Sequence, residues 1–229
     1  MTTIGILSEG RTDQAVIKQV LLGYFADQGA ALDALEINSF FPPEIPLPGE
    51  PEEGGWTVLK RRLQDGHHLQ ALGFNDYLVI HIDTDVCDHP GYDVSRRDPS
   101  TGSSLDPWQL REAARARLVE WMGADFHAKH GHRVLFAIAV DTIECWLLPL
   151  LEDKRAKQSK TIGCAKAANE ALKRAGRDAL DQGNVLRRYT EEAAPYRKRK
   201  TLLTTGRQSP SLGAFLAELT ELDIQLGVG

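Results

Sequence analysis

YLVIHIDTD, residues 77–85, is the stretch on which the reading of this chain turns. Tyr77 to Ile82 is an apolar, β-branched run of the kind found in a strand buried on both faces of a parallel sheet. The apolar character stops at Asp83-Thr84-Asp85. Alternate residues of an extended segment share a face, so the two aspartates can point one way while Thr84 points aside. His81 sits inside the strand, and its direction relative to Asp83 stays ambiguous at this level. Parallel α/β sheets hold their ligands beyond the carboxyl ends of the strands, which makes carboxylates at that point functional candidates.

The flanks repeat the pattern. Thr3 to Leu7 reads as a strand ending at Ser8-Glu9-Gly10, and from Thr12 onward Val16, Val20, Leu21 and Phe25 recur at helical spacing. Leu35 to Phe40 reads as a second strand. The loop 41–55 carries five prolines with glycines and glutamates, a composition that stops regular structure. Trp56 to Leu72 has the helical period and leads into the central strand. The polar stretch 86–106 exceeds the usual length of a connection and is expected to gate a site or bind a partner. Asp106-Pro107 starts a helix that runs to Met122, and Arg133 to Val140 is a fourth strand, followed by Asp141 and Glu144. The order β-α-β-α-β-α-β predicts an α/β domain with a mainly parallel sheet and right-handed crossovers. Beyond it, Ile143–Leu151, Ile162–Arg174 and Leu212–Leu222 read as helices. A core over 1–150 and a helical, basic extension over 151–229, packed on the same sheet, follow.

Composition narrows the function. The 229 residues are 42% hydrophobic, enough for a sizeable core, and carry a formal net charge of -5. That balance argues against coating nucleic acid by bulk electrostatics and leaves room for a local basic strip. Positive charge gathers late, at Arg187 and Arg188 and again from Arg197 to Lys200. With no run of about 18 apolar residues and no basic segment ahead of an apolar one, a cytoplasmic protein without membrane partners is expected. Cys87, Cys145 and Cys164 lie far apart, lack CxxC spacing and leave an odd number, so neither a disulfide framework nor a structural zinc site is expected, and the compartment reads as reducing.

Glu9 after the first strand, Asp83 and Asp85 after the third, and Asp141 with Glu144 after the fourth would meet at one end of the sheet. Anionic side chains forced together raise one another's pKa unless a cation neutralises them, and an all-oxygen donor set favours a hard divalent ion, magnesium or manganese. Each feature alone has a plainer meaning: Glu9-Gly10 as a turn with Thr12 as helix N-cap, Asp83-Thr84-Asp85 as a strand exit, Glu144 as a helix-start acid. Their joint occurrence at successive strand ends carries the functional reading.

Ser8-Glu9-Gly10-Arg11-Thr12-Asp13 resembles the EGxTD signature of Toprim domains, especially nucleases of the OLD (overcoming lysogenization defect) type, and the DTD of residues 83–85 resembles the DxD motif of the same fold. Ile143 to Leu148 resembles an E-x-W-L-L segment of a stand-alone Toprim-like group related to bacterial anti-phage and mobile-element systems. The resemblance covers about residues 3–150. It implies a three-layer Toprim or Rossmann-like domain in which Glu9, Asp83 and Asp85 bind magnesium or manganese, with Asp13 and Glu144 completing a first or second metal site. It further implies a nuclease acting on DNA or RNA, assisted by a downstream lysine: Lys160, Lys198 or Lys200, of which Lys200 is favoured. No GxxxxGK[ST] loop occurs, so an ATPase partner would be a separate protein. No tyrosine nucleophile is assigned, because nothing in the spacing of Tyr189 and Tyr196 marks either one. A non-catalytic scaffold and a small-nucleotide phosphohydrolase are the alternatives.

Overall fold

The computed structural model describes residues 1–28, 35–42 and 54–226. Four strands, β1 (Thr2–Leu7), β2 (Leu35–Phe41), β3 (Tyr77–Asp83) and β4 (Val134–Ala139), form one all-parallel sheet in the order β2-β1-β3-β4. The chain leaves β1 for β2 on one side and then crosses to β3 on the other, so the strand order reverses between β1 and β3. Such a switch point opens a crevice at the carboxyl ends of its strands.

Period-two alternation divides the sheet's two faces. From β1, β3 and β4, Ile4, Ile6, Val79, Leu135, Ala137 and Ala139 face one core. That core is covered by α1 (Arg11–Tyr24), α6 (Glu144–Leu151), α8 (Cys164–Arg174), α9 (Val185–Ala193) and α11 (Pro210–Leu222). Leu78, Ile80, Ile82, Val134, Phe136 and Ile138 face the other core. Its cover is α2 (Trp56–Gln64), α3 (His67–Phe74), α4 (Pro107–Met122) and α5 (Ala124–His130). The short α7 (Arg155–Gln158) and α10 (Arg199–Thr204) connect the C-terminal helices. The result is a Rossmann-like three-layer α/β fold, as expected. Among the described residues no helix is long and apolar enough to cross a membrane.

Several local readings change. The helix expected over 56–72 is two helices, because Gly66 adopts φ +81°, a left-handed conformation that breaks the hydrogen-bond ladder. The helix expected from Ile162 begins at Cys164; Gly163 is also left-handed, and Ile162 is 72% exposed. Of the proline-rich loop, residues 43–53 lie outside the described residues. The segment 86–106 is not a regular element but is closely tied down: Cys87, Tyr92 and Val94 are buried, and Tyr92 packs between Trp56 and Trp121. Among the cysteines, Cys145 and Cys164 are disulfide-bonded across a separation of 19 residues, contrary to expectation, while Cys87 is free and buried. The spacing could not reveal this pair. Its closeness comes from the way Asp141, after β4, accepts the Cys164 amide at 2.8 Å and so seats the start of α8 against the start of α6.

Candidate functional site

Glu9 follows β1 in a turn held from both sides. Ser8 N donates to Phe41 O at 2.8 Å, Ser8 Oγ to Gly10 O at 2.7 Å, and Gly10 N to Asp13 Oδ2 at 2.7 Å. The last of these makes Asp13, rather than Thr12, the side chain that closes the start of α1. Glu9 then reaches across the switch point, where its Oε1 accepts the Asp83 backbone N–H at 2.7 Å. A strand-end carboxylate on β1 is thereby fixed to the strand end of β3.

Two-residue alternation places His81 and Asp83 on the face covered by α1 and α6, which resolves the ambiguity of His81. Its ring is fully buried, edge-on to Trp146, with Nδ1 3.5 Å from Asp13 Oδ2 and Nε2 3.3 Å from Asp83 Oδ1. Neither ring nitrogen is aligned for a hydrogen bond, and Asp83 Oδ1 is likewise buried without one. The strand stops at Asp83, so Asp85 is not a continuation of it but an exposed residue of the following turn. Thr84 between them points into the protein: its Oγ1 accepts the Asp141 N–H at 2.9 Å, and its N–H donates to Asp141 O at 2.9 Å. Asp141 itself has φ +76°, an uncommon conformation for a residue with a side chain. Glu144, in the first turn of α6, is buried and accepts the hydroxyl of Tyr189 from α9.

The electrostatics follow from this crowding. Burial first, then the Asp13, Glu144, Asp85 and Asp141 carboxylates, push the Asp83 carboxyl well above the usual aspartate range. Burial and then Asp83 do the same to Glu9, against the hydrogen bond from the Asp83 amide. Asp13 is raised by burial although His81 opposes the rise, and Asp85 is raised by burial and Asp141 although Arg96 opposes it. Burial in turn holds His81 below the ordinary histidine value. Burial and the Glu144 charge push the Tyr189 hydroxyl far up, so it stays a donor.

Glu9, Asp13, Asp83, Asp85 and Glu144 are therefore neighbours, and Asp141 joins them. Lys200 does not. It is exposed on α10, where its neighbour Arg199 pairs with Asp27 at 2.9 Å beyond the far end of α1, and α1 rises about 16 Å between Asp13 and Tyr24. Lys198 lies at that same end. Lys160 is nearer, four residues before the Cys164 amide that bonds Asp141. Sequence reasoning passed over Arg96, whose Nη2 donates to Thr84 O at 2.6 Å and Asp85 O at 2.5 Å, and Tyr92, whose hydroxyl donates to Asp83 O at 2.9 Å. Both bond backbone carbonyls from inside a polar loop, a role with no sequence signature. Tyr196, by contrast, is a packing residue that bonds Trp146 O.

The donors fit a hard divalent cation in kind, being carboxylate oxygens with one of them buried and unbonded. Among the described residues, the one set of three or more His, Cys, Asp or Glu ligand atoms all within 4.8 Å of one another is Asp141, Cys145 and Cys164, and its two sulfurs are bonded to each other. The Glu9, Asp83 and Asp85 carboxylates do not form such a set. Comparison of the chain with protein-family models, curated proteins and solved structures gives no match.

Proposed function

We propose that the chain is a magnesium- or manganese-dependent nuclease that hydrolyses phosphodiester bonds of DNA or RNA. The observation that carries the reading is the convergence of Glu9, Asp13, Asp83, Asp85 and Glu144 on the switch point of a parallel sheet, crowded enough to raise four of these carboxyls above their ordinary values. Such a concentration of buried negative charge costs stability, and a bound cation would offset that cost.

Glu9, Asp83 and Asp85 would hold the ion, with Asp13 and Glu144 on its α1 and α6 side. Bound there, a divalent cation would polarise a phosphoryl oxygen and activate water for in-line attack. The residues around the ligands fix their directions. The Asp83 amide orients Glu9, Tyr189 orients Glu144, and the Gly10 amide orients Asp13. Arg96 and Tyr92 pin the backbone that carries Asp83 to Asp85. Lys200, remote from these groups, suits contact with the nucleic-acid backbone better than a part in the chemistry.

The test is cleavage of single-stranded and duplex DNA and RNA with magnesium or manganese, comparing wild type, Glu9→Ala and Asp83→Ala. Both variants should lose more than the roughly 10–100-fold that removal of an outer-shell partner costs. Full activity in Asp83→Ala would sink the assigned site. Hydrolysis of mononucleotides but not of polymers would favour a small-nucleotide phosphohydrolase.

A further inference from the structure

A groove of about 160 Å³ opens beside the carboxylate cluster, between α1, β2 and α9. We propose that it seats the phosphodiester backbone of a single nucleic-acid strand running away from the cluster, with Arg11 on the phosphate nearest the carboxylates. The inference rests on the nuclease reading above and adds to it a strand-binding site.

Helical geometry sets the position. Arg11, Gln14, Ala15 and Lys18 recur at the spacing that puts residues on one face of α1, and that face is the groove floor. Asp13 on the same helix turns toward His81 and the cluster. Across the groove, α9 behaves in the same way: Leu186 and Thr190 line it, while Tyr189 reaches Glu144. α1, which carries Asp13, and α9, whose Tyr189 bonds Glu144, thus also build the groove, which begins where the cluster ends.

The chemistry of the lining is that of a phosphate track. Among the described residues no aspartate or glutamate lines it, in a chain whose net charge is -5. Arginine, lysine and polar side chains do; Gln14 donates to Pro42 O at 2.9 Å and the Thr190 hydroxyl to Leu186 O at 2.9 Å, which leaves Arg11 as the donor the groove presents to a phosphate oxygen. Arg11 is partly buried and makes no ion pair or hydrogen bond among the described residues, so its guanidinium is available to an anion. Leu186, 38% exposed, offers an apolar contact for a sugar or base. At the far end Gln19 accepts from Arg197 at 2.5 Å, the first residue of the basic run 197–200. From Arg11 to Gln19 the helix rises about 12 Å, so positive charge extends along the groove rather than sitting at one point. The groove is smaller than the roughly 300 Å³ of a typical small-molecule pocket.

The experiment is fluorescence anisotropy of labelled oligothymidylate and oligouridylate, and of a duplex of equal length, in EDTA so that nothing is cleaved. Wild type, Arg11→Ala, Arg11→Lys and Thr190→Glu are compared over a salt series, each with its melting temperature recorded. Arg11→Ala should weaken single-strand binding about tenfold at low salt and lower the slope of log K against log salt by about 0.7, with melting unchanged. Arg11→Lys should keep most of the slope, and Thr190→Glu should weaken binding by placing a carboxylate in the track. Equal affinity and slope in wild type and Arg11→Ala, tighter binding of duplex, or no binding by the wild type would overturn the groove assignment. The two ideas fail separately. Asp83-dependent cleavage with Arg11-independent binding removes the groove alone, whereas Arg11-dependent binding without cleavage upholds the groove and removes the nuclease.

Discussion

Asp83 concentrates the physical conflict of this molecule in one side chain. It shares a face of β3 with His81, and its Oδ1 is buried without a hydrogen bond although His81 Nε2 lies 3.3 Å away. Burial and the neighbouring carboxylates raise its pKa above the ordinary aspartate value of 3.8. A carboxyl whose folded pKa is raised binds its proton more tightly in the native state. Its contribution to stability is therefore greatest at low pH and declines as pH rises from the unfolded value through the folded one. In EDTA, Asp83→Asn should melt higher than wild type by about 2–4 °C at neutral pH, the shift that roughly 1 kcal/mol makes in a chain of this size. The difference should shrink toward pH 4, where the wild-type carboxyl is also neutral, and should reverse when manganese is added at pH 8. A variant melting at or below wild type across the whole range would show that the carboxylate is not opposed by its neighbours.

At the scale of elements, the segment 86–106 behaves as a strap over the end of β3. Its polar composition and length read as a free loop, yet Val94 N donates to Cys87 O at 2.8 Å, Tyr92 fills the core beneath α2 and α4, and Arg96 bonds two successive carbonyls after the strand. Aromatic and aliphatic residues were present in the segment, but so sparsely that no period could announce them. Arg96→Ala removes bonds donated by a charged group, each worth about 1.5–3 kcal/mol. Hydrogen exchange should accelerate across 86–106 in this variant while β1, β3 and β4 keep their protection. Uniform acceleration over the sheet would mean that the strap is part of the global folding unit and not a separately held element.

The whole molecule joins two cores across one sheet, and its C-terminal helices complete one of them. Glu218 of α11 accepts the N–H of Phe136 on the edge strand β4 at 3.0 Å and pairs with the buried Arg111, so the extension also covers a strand edge. The Cys145–Cys164 bond links α6, which carries Glu144, to α8. A cross-link of this loop length restricts the unfolded chain by about 3 kcal/mol. Excess dithiol should therefore lower the melting temperature by about 6–12 °C, and unchanged melting, with Cys145 and Cys164 both alkylated on unfolding without dithiol, would show that the pair is not bonded.

Much of this was fixed locally. The apolar runs at residues 4–7, 77–82 and 134–139, each ended by an acid or a turn, specify buried parallel strands, because only strands covered on both faces need uninterrupted apolar side chains. Glu9, Asp83 and Glu144 were legible for the same reason, since a strand end or helix start is a position that a sequence marks. The breaks at Gly66 and Gly163 were missed because a glycine's sign of φ is set by what the next helix packs against. Arg96 and Tyr92 act through backbone groups brought close only by folding, as does Asp141, whose place after β4 the sequence marks, and the partner of Cys145 was chosen by the docking of α8. The sequence by itself determined the sheet and which carboxylates stand at its end. Tertiary structure decided how they face one another, that His81 lies between two of them and that Lys200 lies elsewhere, because those relations depend on contacts across the fold that no local pattern encodes.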